Sequence, residues 1–374
     1  MNASKNFLHF ALAAIAVSFV SNCFGQSREN AMPLRPIASV PLPGITGDFD
    51  HFAVDEKGGR LFLAGEDHKS LEVFDLKTGR HIKSIPGFGV PHSVFYMPET
   101  NRILVTDGDA AALQILDGGN YKFVGKIEGL AGADSARLDV TRGILYVVTG
   151  GKDVQLDYSF VVAVDLKAYA KISELRIESK HVEALAIEPS SSRLFVNVTD
   201  RGQVAVIDRQ AMKEITRWPV GVAGENSPMI YDEAHRRLLI VCRKPAMLVV
   251  MDADTGKVVD NLPAAARADD VAFDAANGRV YVPGGEGHIS IFRQDSADHY
   301  TPLASIPTAP GAKTSILVPP LRRYFVAVSP GDTGAIAKLL IFEVLPVPGK
   351  TEAAAGNKRN DSHVPGRHAM ICSP

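Results

Sequence analysis

Arg60-Leu-Phe-Leu63 returns down the chain as Arg102-Ile-Leu-Val105, Arg193-Leu-Phe-Val196, Arg237-Leu-Leu-Ile240, Arg279-Val-Tyr-Val282 and Arg323-Tyr-Phe-Val326. Ile144-Leu-Tyr-Val147 fills the one slot that lacks the basic residue. Successive starts lie 42, 42, 49, 44, 42 and 44 residues apart. A tandem period of this length marks an architecture in which each unit buries its apolar face only against its neighbours. Seven units between Phe49 and Pro346 therefore share one plan, and the third carries an insertion.

Each unit has the same internal order: a short apolar strand, a polar turn, the Arg-led strand, a loop, an alternating strand that ends in Asp, a tight turn and a last strand. In the first unit these are Phe49 to Val54, Arg60 to Ala64, Leu71 to Asp75, the turn Lys77-Thr-Gly-Arg80, and His81 to Ile85. Asp117, Asp165, Asp208 and Asp252 mark the same third strand elsewhere. Four antiparallel strands repeated seven times, with no helical period, predict a radial array of four-stranded sheets, an all-β, seven-bladed β-propeller. Closure is a separate test. The seventh unit stops at its third strand, Leu339 to Leu345, and the orphan strand Arg35 to Leu42 stands before the first unit. Pairing the two completes the last blade and removes two open sheet edges.

The wording of these strands and turns, including Arg193-Leu-Phe-Val196, Arg279-Val-Tyr-Val282, Val250-Met-Asp-Ala-Asp-Thr-Gly-Lys257 and Ile306-Pro307, resembles the YVTN-type, YncE-like repeat proteins over residues 34–346. The resemblance implies an exported bacterial propeller, an architecture shared by lactonases, a streptogramin lyase and non-enzymatic binding proteins. Fold likeness does not choose among them. A WD40 protein fits less well, since the chain has one Trp and no recurring Trp-Asp pairs.

The termini and composition set the setting. Lys5, the apolar run Phe10 to Val20 and the stretch Ser21 to Gly25 read as a signal peptide over residues 1–25, cut before Gln26, so a secreted or periplasmic protein is expected. Cys23 offers a lipid anchor as the alternative, for which Asn22 is a poor neighbour. The apolar run is too short for an ordinary membrane span. Residues 347–374 lose the periodicity and read as a disordered tail. Cys242 falls in a core strand pattern and Cys372 in the tail, so packing rather than a disulfide must hold the fold. A net charge of -2 excludes the basic field that nucleic acid requires. A monomer is the expectation.

Ten residues ahead of each Arg-led strand stands a second column: Asp50, His92, Asp134, Glu183, Ser227, Asp269 and Lys313. All seven are polar, whereas the positions that follow are mostly apolar. One polar residue at the start of every inner strand points to the mouth of the central channel. Asp48, His51, His181, Glu225, Asn226, Asp270 and Thr314 thicken the cluster. Converging carboxylates repel unless they hold protons or a cation, and oxygen ligands such as Asp50, Asp134, Glu183 and Asp269 suit calcium or magnesium. Lys313 could neutralise part of the charge. An incompletely ligated cation could polarise a carbonyl or phosphoryl oxygen, with His92 or Glu183 as proton acceptor. Strand alternation puts the second-strand loops on the same face, among them Gly65-Glu-Asp-His-Lys69, Asp107-Gly-Asp109, Gly150-Gly-Lys-Asp153, Arg243-Lys244 and Pro330-Gly-Asp332. The sequence thus expects a small or extended polar ligand at this mouth. A metal-assisted, lactonase-like hydrolase or lyase and a protein-interaction scaffold are the alternatives, and a solvated structural ring is the plainest reading of the same column.

Overall fold

The computed structural model describes residues 32–331 and 335–347. The expected signal segment 1–25 with Cys23, the expected tail beyond 347 with Cys372, and Asp332 lie outside them. Seven four-stranded antiparallel sheets form the ring, each in simple up-and-down order. Blade 1 runs Phe52–Asp55, Arg60–Gly65, Ser70–Asp75 and His81–Pro86 from the axis outward. Blade 7 takes Thr314–Val318, Arg323–Val328 and Ala337–Val344 from the end of the chain, and its fourth strand is Leu34–Leu42. That strand pairs antiparallel with Ala337–Val344, from Leu34 opposite Val344 to Leu42 opposite Ala337. Among the described residues no helix is long and apolar enough to cross a membrane.

Seven buried apolar clusters lie one at each junction between neighbouring blades. Phe62, Leu71, Val73 and Ile85 of blade 1 meet Phe88, Val94, Ile103 and Leu116 of blade 2. Phe49, Phe52, Leu61 and Phe74 of the same blade meet Ile316, Phe325 and Leu339 of blade 7 on the other side. Both faces of every sheet are therefore apolar, which is why the Arg-led second strands read as unbroken hydrophobic runs. Cys242 sits in the junction of blades 4 and 5, and burial pushes its thiol up to about 12. It behaves as a small core residue.

The recurring polar residues have local explanations. The Asp that ends the third strand caps the next turn: the carboxylate of Asp75 accepts from the backbone N–H of Thr78, that of Asp117 from Gly119 and Asn120, and that of Asp252 from Asp254 and Thr255. In four blades the leading Arg crosses to the next blade. Arg60 donates to the Gly118 carbonyl, Arg193 to the Ala253 carbonyl and Asp254, Arg237 to Asp298, and Arg279 to the Leu345 carbonyl. In blades 1 and 4 an acid five residues earlier holds the guanidinium in place, Asp55 for Arg60 and Glu188 for Arg193. Blade 3 has the acid, Asp139, but Ile144 in the arginine slot. Arg209 of blade 4 reaches back to it at 3.1 Å, with both side chains buried.

Two outcomes are expected. Arg209→Ala leaves Asp139 without its buried partner and should lower the free energy of unfolding in urea by about 3 kcal/mol, whereas Arg102→Ala, whose Asp117 partner is on the surface, should change it by less than about 1 kcal/mol. Glu188 concerns acid stability. Burial alone would raise its pKa, but the hydrogen bonds and charge of Arg193, helped by Ser191, bring it from 4.5 to about 2. A lowered folded pKa stabilises above the unfolded value and is lost as pH falls through the folded one. Melting temperatures of the wild type should thus fall between pH 4.5 and 2 more steeply than those of Glu188→Gln.

Candidate functional site

All seven residues of the polar column line one cavity of about 410 Å³ at the channel mouth. The backbone explains why they point there. The inner strands carry irregularities of register between Pro91 and Val94, Val182 and Leu185, and Asn226 and Met229, and these bracket His92, Glu183 and Ser227. A bulge re-aims the extra residue, here toward the axis, before the strand resumes its apolar alternation. The next residue along then faces the adjacent blade: the Ser93 hydroxyl accepts from Ala136 N–H at 3.1 Å, and Thr314 donates to the Phe49 carbonyl at 3.2 Å.

The second-strand loops complete the wall with Glu66, Asp109, Lys152, Asp153 and Arg243. Lys152 and Asp153 belong to the insertion of the third repeat, which forms a short turn of 3₁₀ helix, Lys152–Val154. Its backbone is pinned by the Lys152 N–H donating to the Lys180 carbonyl at 2.8 Å. Eight carboxylates on this lining face three fixed cations and two histidines.

Those charges sort into two groups. On the side of blades 6 and 7, Lys313 binds Asp48 at 2.7 Å and also Asp269, to which Arg243 donates as well. Burial opposes the charge on Lys313, but the Asp269 and Asp48 carboxylates outweigh it and raise the pKa above the usual lysine value. On the side of blades 1 to 3 a relay alternates carboxylate and imidazole. His51 lies 3.2 Å from Asp270 through Nδ1 and 3.3 Å from Asp50 through Nε2, and Asp50 lies 2.6 Å from His92 Nδ1. His92 is 3.7 Å from Asp134. Burial alone would discharge His51 and His92, but for His51 the Asp50 and Asp270 carboxylates, and for His92 Asp134 and Asp50, raise each to about 10. Both are imidazolium ions at neutral pH. Burial would likewise raise Asp50, yet His51 and His92 hold it well below the usual carboxylate range.

Glu66 and Asp134 are different. Burial, together with the charge of Asp50, lifts Glu66 to about 8. Burial, with Glu183 and Asp50 nearby, lifts Asp134 to about 7 despite the opposing His92. These two acids store the surplus negative charge of the mouth as protons. Among the described residues, Asp50, Glu66 and His92 are the group whose ligand atoms all lie within 4.8 Å of one another. That trio differs from the four carboxylates suggested by the column: Asp269 is taken by Lys313 and Arg243, and Glu183 is bound by His181 at 2.6 Å.

Of the other residues that the sequence singled out, His51 lines the cavity, whereas Asp270 and His181 stand behind the lining. Asp270 is buried and also accepts from Ser315 N–H at 2.6 Å. Glu225 turns outward to Lys244, and Asn226 is buried against Asn197. Glu66 is the residue that the column missed. Its signal lay in the loop pattern, since it directly follows the second strand as Asp109 nearly does.

No protein-family model matches the chain, and no curated protein does either. Solved structures do. A chain of Kuenenia stuttgartiensis hydrazine synthase superposes with a TM-score of 0.65 at 14% identity, over 79% of this chain and 98% of its own. A chain from a crystal structure of the mitotic checkpoint complex gives 0.66 at 16% identity, over 92% and 100%. Likeness at such identity shows the seven-bladed propeller and no activity, and matching chains number 1574.

The buried imidazolium makes stability depend on alkali. A pKa raised in the fold above the unfolded value near 6.5 stabilises fully below that pH and ceases to as pH rises through the folded value of about 10. Melting temperature should therefore decline from pH 7 to 10. His51→Gln should be less stable at pH 6 and flatter over that range, and parallel curves for the two proteins would contradict the assignment.

Proposed function

We propose that this chain is an exported ligand-binding propeller of the YVTN, YncE-like kind, and that a divalent cation and a small polar ligand share its channel-mouth cavity. The observation that carries the reading is the trio Asp50, Glu66 and His92, whose donor atoms lie within 4.8 Å of one another in the lining of a cavity of about 410 Å³. A volume of this size suits a small ligand. A histidine nitrogen among the donors shifts the expected cation from calcium or magnesium toward manganese, iron or zinc. The cation would replace the proton on Glu66 and one proton on the His92 ring, and Asp134, with its pKa raised to about 7, would supply an outer carboxylate. Export rests on the signal-like residues 1–25 and the relationship on the repeat wording, both sequence arguments.

Binding is favoured over lactonase-like hydrolysis by the protonation of the two candidate acceptors. His92 holds its proton at neutral pH without the cation and would give a ring nitrogen to the cation when it is bound, so in either state it is a poor proton acceptor. For Glu183, burial would raise the pKa, but the hydrogen bond and charge of His181 leave it lowered, so it is a weak base. A propeller that only scaffolds another protein has no need of a converging charged mouth.

Melts settle the cation. Manganese or zinc at a hundred times its Kd should stabilise the wild type by about 2.7 kcal/mol, EDTA should reverse this, and Glu66→Gln should lose the response while folding normally. Melts indifferent to manganese, iron, zinc, calcium, magnesium and EDTA would overturn the reading.

A further inference from the structure

The face opposite the channel mouth carries the first-to-second strand hairpins and the outer turns of each blade. In blade 1 the acid–arginine pair Asp55 and Arg60 closes this face, with the guanidinium 2.7 Å from Asp55 and donating to the Gly118 carbonyl of blade 2. In blade 4 Glu188 and Arg193 do the same toward Ala253. Blade 2 breaks the pair. Met97 stands where the acid belongs, and Arg102 turns to Asp117 of its own blade at 2.7 Å. Blade 3 breaks it at the other member, keeping the acid Asp139 but placing Ile144 in the arginine slot.

A groove of about 340 Å³ opens between blades 2 and 3 at this place, lined by Met97, Leu104, Leu138, Val140, Leu166 and Tyr169. Val140 is 53% exposed and Tyr169 49%. Apolar side chains grouped around a concavity are an unusual surface for a monomer and mark a place of contact. The rim adds a sign. Arg102, ion-paired to Asp117, and Lys167 border the groove with Glu99, and the adjoining depression on the blade 3 hairpin holds Arg137, Arg142 and Arg209 with Asp139, so five basic groups meet three acids and the rim stays net positive.

We propose that this groove docks an acidic segment of another protein, whose one large apolar side chain fills the space between Val140 and Tyr169 while its carboxylates meet Arg102, Lys167 and Arg142. The apolar pocket sets the position, and the basic rim selects sign and speeds association. The site is independent of the channel mouth and does not need a cation there.

Fluorescence anisotropy with labelled ten-residue peptides tests it. The probes place Asp and Glu on both sides of a central Leu, Phe or Trp, with Lys-for-acid and central-Ala versions as partners. The acidic probes should bind, at least tenfold more tightly than their central-Ala versions, with an affinity that falls as salt rises. Tyr169→Glu should weaken them at least tenfold. Met97→Asp restores an acid five residues before Arg102 and should close the groove, again weakening binding, while its melting temperature shows that it folds. Acidic probes that bind no better than their lysine versions would overturn the proposal, as would equal binding to the wild type and both variants. So would a wild-type dimer in sedimentation that Tyr169→Glu dissociates, since it would give this face to a second copy of the chain.

Discussion

The pairing of Leu34–Leu42 with Ala337–Val344 is the constraint on which everything else in this molecule rests. Each blade buries its two faces only against its neighbours, so the apolar clusters form a closed series with no internal core to fall back on. Were the first strand unpaired, blade 7 would keep an open edge and the junction that unites Phe49 and Phe52 with Ile316 and Phe325 would face an incomplete sheet. Closure also fixes the distance of every inner strand from the axis. A ring of set circumference is what brings one polar residue from each of seven blades to a single cavity, three of them at irregularities of register and four just ahead of their strands.

That convergence creates an electrostatic problem, which the mouth solves in two ways. Around Asp269 the negative charge is met by fixed cations, and the raised pKa of Lys313 records how firmly the carboxylates hold it. Around Asp50 it is met by imidazolium ions and by protons. Isolated buried charges would be ruinous here, so Asp50, His51 and His92 each have an opposite charge close by, while Glu66, raised to about 8, holds a proton at neutral pH and Asp134, raised to about 7, holds one part of the time. A site built from protons in place of fixed cations can exchange them for another positive species. The Lys313 side cannot do so without breaking ion pairs.

The repeat wrote the fold plainly, because a period-2 strand pattern and a 42-residue spacing repeat seven times and average out local exceptions. The polar column was legible for the same reason: position within the repeat fixes position around the axis. What stayed hidden was interaction between repeats. The register alone could not say that Asp269 would be claimed by Arg243, a residue 26 places earlier in a different loop, or that Glu66 would reach the Asp50 and His92 pair. Both depend on how far a loop side chain extends over the rim, and loops obey no period. Arg209 teaches the same lesson: it occupies an ordinary turn, yet supplies the guanidinium missing from the previous blade.

Individuality in such a protein therefore lies where one unit departs from the rest. Blade 1 follows the rule that an acid five residues ahead steers the leading arginine across to the next blade, and the junction beside it is plugged. Blade 2 exchanges that acid for Met97, and the same arginine, left with a choice, folds back onto Asp117. Blade 3 gives up the arginine and gains, at its other end, the insertion that carries Lys152 over the channel. The departures that open one face and crowd the other thus fall on adjacent blades. Because a propeller transmits little strain between distant blades, each departure alters its own surface while the closed ring preserves the fold.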